Sequence, residues 1–254
     1  MAEAKVEQKT IRPDDPRRDG RDRLTAWVYT KVLDETDFRT SGGDPCVVYF
    51  HSGGYGLLGQ PATEDYLCSQ LAQRLRVVVV HVCYRETPPN AHPDAQDDAA
   101  DGLRWTIAHA DELGIDRKQI VLTGMCYGAG LAAGVALRLA AGEDFGFEDG
   151  MTLKGQVLAF PWLLQECVFP YESFTSRGAT SRYQCAAAPT MPKRVYDDLQ
   201  RKLKIANQKD PLLNVPLAPD ELLKKLPRTG LILAGMDLLR DDGILFADKL
   251  EQLG

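Results

Sequence analysis

Histidine is scarce in this chain, which has four histidines among 254 residues. They stand at positions 51, 81, 92 and 109. The six cysteines, at positions 46, 68, 83, 126, 167 and 185, are scattered in the same way. No histidine, cysteine or carboxylate group has the short spacing that metal ligands need. We therefore expect no metal and no cofactor, and few candidates for a catalytic base.

Excess positive charge and long apolar runs are also lacking. The chain has 30 lysines and arginines against 36 acidic residues, a net charge of −6, which argues against a nucleic-acid partner. No apolar run has the length of a membrane span, so we expect no membrane-spanning helix. The first ten residues are polar and do not form a secretory signal. We expect reduced thiols and a cytoplasmic location, and the sequence leaves a homodimer open.

Apolar runs alternate with amphipathic or small-residue runs along most of the chain. Strands are predicted at 6–12, 24–32, 46–50, 77–82, 119–123, 155–160 and 230–234, with a charged turn at 14–22. Helices are predicted at 63–75, with Thr63 as its cap, and at 97–109, 129–141, 193–205 and 243–253. This alternation predicts an α/β fold with a mostly parallel central sheet and helices on both faces. We expect a single domain, 1–254, in which 161–218 forms a cap insertion.

The segment Gly124-Met125-Cys126-Tyr127-Gly128 joins a predicted strand to a predicted helix. Strand, five-residue turn with glycine at both ends and helix make up the architecture of a nucleophile elbow. The middle residue, normally serine, is cysteine here. The elbow would present the Cys126 thiol at the positive end of a helix, and we expect this end to increase the fraction of reactive thiolate.

Three further motifs stand in order around the elbow. They are His51-Ser52-Gly53-Gly54, Tyr84-Arg85-Glu86-Thr87-Pro88 and the acid loop from Gly235 to Gly243. With the elbow they resemble the motifs of the hormone-sensitive-lipase-like branch of the α/β-hydrolases, from about residue 45 onwards. That family carries H-G-G-G, Y-R-L-A-P, G-D-S-A-G and D-P-L-R-D-E-G in the same order. The resemblance implies an α/β-hydrolase fold.

The resemblance also implies roles for individual residues. Cys126 would be the nucleophile, and Asp237 would orient a catalytic histidine. The backbone N–H groups of Gly53, Gly54 and Tyr127 would form the oxyanion hole. The substrate pocket would include His51, Tyr55, Leu57, Met125 and Trp162. These side chains favour a small or medium apolar carbonyl compound as substrate or ligand, although ordinary core packing also explains such a set.

The chain departs from the family where the catalytic histidine is concerned. In the family this histidine follows the acid, one strand further on. All four histidines of this chain precede Asp237, and the last residue is Gly254. We expect the base, the last strand and the final helix to belong to a longer form of the protein. His81 or His92 acting as a substitute base is a less favoured alternative.

Three interpretations of the function follow. The favoured one is an enzyme in which Cys126 attacks an ester, thioester or lactone. The second is a catalytically impaired relative that binds a small molecule. The third is a non-hydrolytic cyclase, lyase or acyl transferase of specialised metabolism, in which the pocket orients a reactive substrate. The cysteine elbow alone is also found in dienelactone hydrolases, which lack the His-Ser-Gly-Gly type of loop.

Overall fold

A computed structural model describes residues 4–11, 24–32, 42–53, 61–86, 90–202, 205 and 207–254. Within these residues, seven strands form a single sheet. The strands are β1 (Lys5–Ile11), β2 (Leu24–Thr30), β3 (Asp44–Phe50), β4 (Val78–Cys83), β5 (Ile115–Met125), β6 (Gly155–Ala159) and β7 (Thr229–Ile232). The predicted charged turn at 14–22 lies outside the described residues.

The sheet has the order β1-β2-β4-β3-β5-β6-β7. The first two strands pair antiparallel, and β2 pairs antiparallel with β4. All the later pairs are parallel, from β4–β3 to β6–β7. The carboxyl ends of these parallel strands therefore meet at one edge of the sheet, where ligand sites of open α/β folds lie.

Eight α-helices are found in the described residues. They are α1 (Asp65–Leu75), α2 (Asp94–Ala108), α3 (Ala110–Leu113), α4 (Tyr127–Ala140), α5 (Ser181–Gln184), α6 (Lys193–Lys202), α7 (Asp220–Leu223) and α8 (Arg240–Leu253). None of these helices is long and apolar enough to cross a bilayer. Helix α1 packs on β2 and β4, whereas α2 and α4 pack on each other and on β3.

The side chains of the central strands alternate between two cores. Cys46, Val48 and Phe50 of β3 point to the larger core, with α2 and α4. Tyr49 of the same strand points to a smaller core under α1. Towards β7 the face on the α1 side is open to solvent, since Val157 is 37% exposed and Ile232 is 50% exposed. The predicted layers, with helices on both faces, are confirmed for the central strands.

The segment 161–218 contains little regular structure, as the sequence predicts. Short 3-10 turns at Glu166–Val168, Tyr171–Ser173 and Arg177–Ala179 precede α5, and α6 covers most of the predicted helix at 193–205. Phe169 of this segment is buried against Arg182, so the segment has packed interior residues of its own.

The predicted cap of α1 is wrong, and α2, α4 and α8 begin two or three residues before their predicted starts at 97, 129 and 243. The prediction of Thr63 as a cap fails because 3-10 turns occupy Pro61–Glu64 and the N-cap of α1 is Glu64. Helix α2 begins at Asp94, one turn before the predicted start at residue 97, because it follows directly on His92–Pro93. Proline is tolerated at such a place, since the first helical N–H groups have no intrahelical partner.

Candidate active site at the bend after β5

Cys126 lies at a sharp bend between β5 and α4. Its backbone has φ 54° and ψ −117°, which non-glycine residues rarely adopt and which costs about 1–3 kcal/mol. Backbone hydrogen bonds hold the bend: the Cys126 N–H donates to Ala159 O (2.9 Å), and the Cys126 carbonyl accepts from Ala129 (3.1 Å), Gly130 (3.3 Å) and Trp162 (3.1 Å). A strained residue at a strand-to-helix turn is the geometry of a nucleophile elbow.

The two glycines of the elbow allow α4 to approach the end of β3 closely. A Cβ atom on Gly128 would lie 2.2 Å from Phe50 O and 2.3 Å from His51 O. A Cβ atom on Gly124 would lie 2.5 Å from the Gly128 backbone. Neither position admits a side chain unless the backbone moves. The close approach brings the amino end of α4 next to the loop that follows β3.

The surroundings of the Cys126 sulfur disfavour its thiolate. Burial raises the pKa of the thiol to about 12, and the negative charges of Asp237, Glu64 and Asp242 act in the same direction. A hydrogen bond from the Tyr127 backbone N–H opposes this rise only in part. The expectation that the helix end would increase the thiolate fraction is therefore wrong, because desolvation outweighs the helix end.

Asp237 lies in the loop between β7 and α8. Its Oδ1 atom accepts the Leu239 backbone N–H at 2.8 Å, and its own N–H donates to Ala234 O at 3.1 Å. The carboxylate is near enough to Cys126 for its charge to raise the pKa of the thiol. The structure thus brings the predicted acid into the electrostatic surroundings of the predicted nucleophile.

All four histidines lie in the described part of the chain, and the contacts described for them are with groups other than the Cys126 sulfur. His51 is buried, stacks on Tyr84 at 4.3 Å, and its Nδ1 lies 2.7 Å from Ser52 O. His81 is buried under α1, and burial lowers its pKa to about 3. The Nε2 atom of His92 lies 2.9 Å from Asp210 Oδ2. His109 ends α2 and contacts Trp105 O through Nδ1.

The predicted oxyanion hole includes two glycines of the loop after β3. Gly53 has φ +106° and ends the described part of this loop. Gly54, Tyr55 and Leu57 lie outside the described residues. The Tyr127 N–H lies at the first residue of α4, next to the sulfur.

The described pocket residues differ in their surroundings. Met125 is half-buried at the end of β5. Trp162 is 3% exposed and packs against Tyr196, with ring centroids 5.0 Å apart. Trp162 and Tyr127 both line a cavity of about 10 Å³, which has room for a single water molecule and not for a substrate. Trp162 therefore contributes to the packing beneath the elbow.

A buried ionic cluster behind the acid loop has no counterpart in the sequence predictions. The Asp242 carboxylate accepts N–H groups of Leu163 (3.1 Å) and Leu164 (3.0 Å) and lies 2.8 Å from Nη2 of the fully buried Arg182. Ser181 Oγ (2.8 Å) and Arg182 Nη1 (3.1 Å) both donate to Leu238 O, next to Asp237. Asp242 lies in the first turn of α8, and its bonds go to the 161–218 segment.

Metal ligands are not grouped in the described part of the chain, where no three histidine, cysteine or carboxylate side chains could hold an ion together. The site described above is therefore built from a thiol, backbone amides and carboxylates. Such a set can bind and polarise a carbonyl group through its amides.

The sequence and the fold both match known proteins. Residues 47–254 match the family described as alpha/beta hydrolase fold. Esterase LipI of Mycobacterium tuberculosis is 32% identical over 216 residues, covering 83% of this chain and 61% of the relative. Ethyl acetate hydrolase of Pseudomonas putida is 31% identical over 223 residues, covering 85% of this chain and 65% of the relative.

A solved esterase structure from the archaeon Pyrobaculum calidifontis superimposes with a TM-score of 0.77 at 30% identity, covering 98% of this chain and 72% of that one. The chain spans less than two thirds of the length of the two curated relatives. The match covers all the motifs and every strand from β4 to β7. The chain therefore belongs to the α/β-hydrolase fold family, in the hormone-sensitive-lipase-like branch that its motifs predict.

Proposed function

We propose that this chain carries a carboxylic-ester-hydrolase type of activity in which the Cys126 sulfur attacks a carbonyl carbon. The observation that supports it best is the strained bend at Cys126, with φ 54° and the Tyr127 N–H on the sulfur. A residue is held at such a cost only where the surrounding structure fixes it, which is typical of active sites.

The proposed substrate is a small or medium apolar ester, thioester or lactone. Attack forms a tetrahedral oxyanion, which the N–H groups of Gly53, Gly54 and Tyr127 would stabilise. Collapse of this intermediate breaks the bond to the leaving group, which departs as an alcohol or a thiol, or stays tethered as a hydroxyl in an opened lactone. It leaves a thioester on Cys126, which water then hydrolyses. The similarity to an esterase and to an ethyl acetate hydrolase supports an ester substrate of this size.

The thiol proton must leave during the attack. With a pKa of about 12, Cys126 is a thiol at neutral pH, so the reaction needs a general base. Asp237 would orient that base, as the acid of a triad does. None of the described histidines contacts the sulfur, so in the proposed mechanism a solvent water oriented by Asp237 would accept the thiol proton and return a proton to the leaving group.

Hydrolysis of p-nitrophenyl acetate by the wild type and by Cys126→Ala tests the proposal. We expect the variant to lose at least about 100-fold in kcat/KM, since its nucleophile is gone. Cys167→Ala is the matched control, because Cys167 is an exposed free cysteine of the same chain. Equal rates for Cys126→Ala and the wild type would contradict the proposal.

A second candidate function is small-molecule binding without turnover, and the raised pKa of the Cys126 thiol favours it. A protonated sulfur beside backbone amides can hold a carbonyl ligand without reacting with it. Thermal stabilisation by a lactone that is recovered unchanged would support this candidate. Release of the ring-opened product would favour the enzyme.

Three further expectations concern the cap, the cellular location and the oligomeric state. Residues 161–218 would act as the cap over the site, as their contact with the acid loop through Ser181 and Arg182 suggests. A cytoplasmic location and a homodimer are predictions from the sequence. Size-exclusion chromatography with light scattering would test the homodimer directly.

A further inference from the structure

A buried carboxylate lies beside the loop that follows β3. Glu64 is 7% exposed and directly precedes α1, but its side chain makes no capping hydrogen bond with that helix. Its Oε1 atom accepts the Ser52 backbone N–H at 2.9 Å and the Ser52 hydroxyl, and its Oε2 atom accepts the Tyr49 hydroxyl. Both carboxylate oxygens are thus used by donors at the end of β3.

These hydrogen bonds fix the loop at the residue just before Gly53. The Ser52 carbonyl lies 2.7 Å from Nδ1 of His51, and the His51 carbonyl accepts the Tyr84 hydroxyl at 2.8 Å. The carbonyl groups of His51 and Ser52 and the N–H of Ser52 therefore all contact side chains. Since the Ser52 N–H is bound by Glu64, the Gly53 N–H is the next donor along the loop.

The pairing of Ser52 with Glu64 is a feature of this chain's own sequence. Ser52 stands where the family motif H-G-G-G has its first glycine. A glycine there would keep the N–H donor and lose the hydroxyl donor. The hydroxyl adds a second charge-assisted hydrogen bond to the same carboxylate oxygen, and such bonds are about twice as strong as neutral ones.

We propose that Glu64 is a positioning residue, which orients the Gly53 amide of the oxyanion loop through Ser52. Glu64 does not touch the substrate. It holds the peptide before Gly53 so that the Gly53 N–H faces the carbonyl oxygen. This assignment rests on the proposed function for its catalytic consequence, whereas the orientation of the loop can be measured without any activity.

Glu64→Gln is the variant that tests the assignment, and Asp65→Asn is its matched control. Asp65 is the neighbouring carboxylate and also accepts a tyrosine hydroxyl, that of Tyr29 at 2.9 Å, but it has no contact with Ser52. Hydrogen–deuterium exchange in the peptide containing 51–53 should be about tenfold faster in Glu64→Gln, since a bond to a charged acceptor is replaced by a neutral one. Asp65→Asn should exchange like the wild type.

The catalytic consequence is measured with p-nitrophenyl acetate. We expect Glu64→Gln to lower kcat at least about tenfold and to change KM less than about twofold, because misplaced amides affect the transition state more than substrate binding. Ser52→Ala, which removes the hydroxyl donor alone, should show a smaller loss of the same kind. In the double variant the losses should not add, because both residues act through one contact.

Alkylation of Cys126 gives a further readout that requires no turnover. Since the charge of Glu64 contributes to the raised pKa of the Cys126 thiol, Glu64→Gln should lower the apparent pKa in an iodoacetamide titration. Asp65→Asn should leave that titration unchanged.

The outcomes separate this assignment from the proposed function. Wild-type exchange in both Glu64→Gln and Ser52→Ala would overturn the assignment. Wild-type kcat in Glu64→Gln, despite faster exchange, would also overturn it. A wild-type protein without esterase activity, in which Glu64→Gln still exchanges faster, would contradict the proposed function and support the orientation of the loop by Glu64.

Discussion

At the scale of the residue, Cys126 combines a strained backbone with a protonated side chain. The positive φ angle presents the sulfur at the bend, whereas burial and three nearby carboxylates raise the pKa of the thiol to about 12. A serine at this place would need a base, and at this pKa the cysteine needs one as well. The usual advantage of cysteine, a few per cent of thiolate at neutral pH, is therefore lost at this site.

The raised pKa predicts slow alkylation of Cys126. At pH 8, iodoacetamide should modify Cys126 at least about tenfold more slowly than the exposed Cys167, because the thiolate is the reacting species. The rate at Cys126 should still increase above pH 10, as peptide mass spectrometry across a pH series would show. A plateau below pH 8 would mean that a positive group outside the described residues stabilises the thiolate.

At the scale of the element, the amino end of α4 is placed by its contact with β3. Gly128→Ala should destabilise the protein by about 1–3 kcal/mol or more, because its Cβ would meet the carbonyl oxygens of Phe50 and His51. Gly134→Ala in the same helix is the matched control. Its Cβ would lie 3.3 Å from Leu212 O, and alanine is the better helix former. Urea unfolding measures both, and equal midpoints would contradict this account of the elbow.

The strands and the elbow could be predicted from the sequence because their signals are local. The apolar run at Cys46–Phe50 and the glycines at 124 and 128 act within a few residues of chain. The prediction of Thr63 as a cap fails because the 3-10 turns before α1 depend on the hydrogen bonds of Glu64. These bonds come from Tyr49 and Ser52, at the end of β3 and just after it. No local pattern marks Glu64, although a serine in place of a loop glycine at residue 52 indicates that its hydroxyl needs an acceptor.

At the scale of the whole molecule, a buried ionic cluster joins the 161–218 segment to α8. Arg182 is fully buried, lies over the rings of Phe169 and Tyr196, and contacts Asp242 and Leu238 O. Asp242 and Leu238 lie more than fifty positions from Arg182 in the sequence, so periodicity and spacing could not reveal these contacts. The cluster fixes the loop that carries Asp237 to the segment proposed as the cap.

The cluster gives folding stability a specific pH dependence. Burial raises the pKa of Asp242 to about 6, and Arg182 and the Leu163 and Leu164 amides oppose this only in part. An unfolded aspartate has a pKa of about 3.9, so between about pH 4 and pH 6 the folded state binds more protons than the unfolded state. The contribution of Asp242 to the free energy of unfolding is therefore fully present below pH 4 and falls as the pH rises to about 6.

Asp242→Asn removes this titration, and because it replaces a carboxylate whose ionisation burial disfavours, it should cost less folding stability at neutral pH than at pH 4. The difference in unfolding free energy between the wild type and Asp242→Asn should fall by about 1–3 kcal/mol from pH 4 to pH 6. Urea unfolding at several pH values measures it, with the exposed Asp248→Asn on the same helix as control. A difference that rises with pH would show that Arg182 outweighs burial and lowers the pKa of Asp242, and the cluster would then stabilise the fold as an ordinary ion pair.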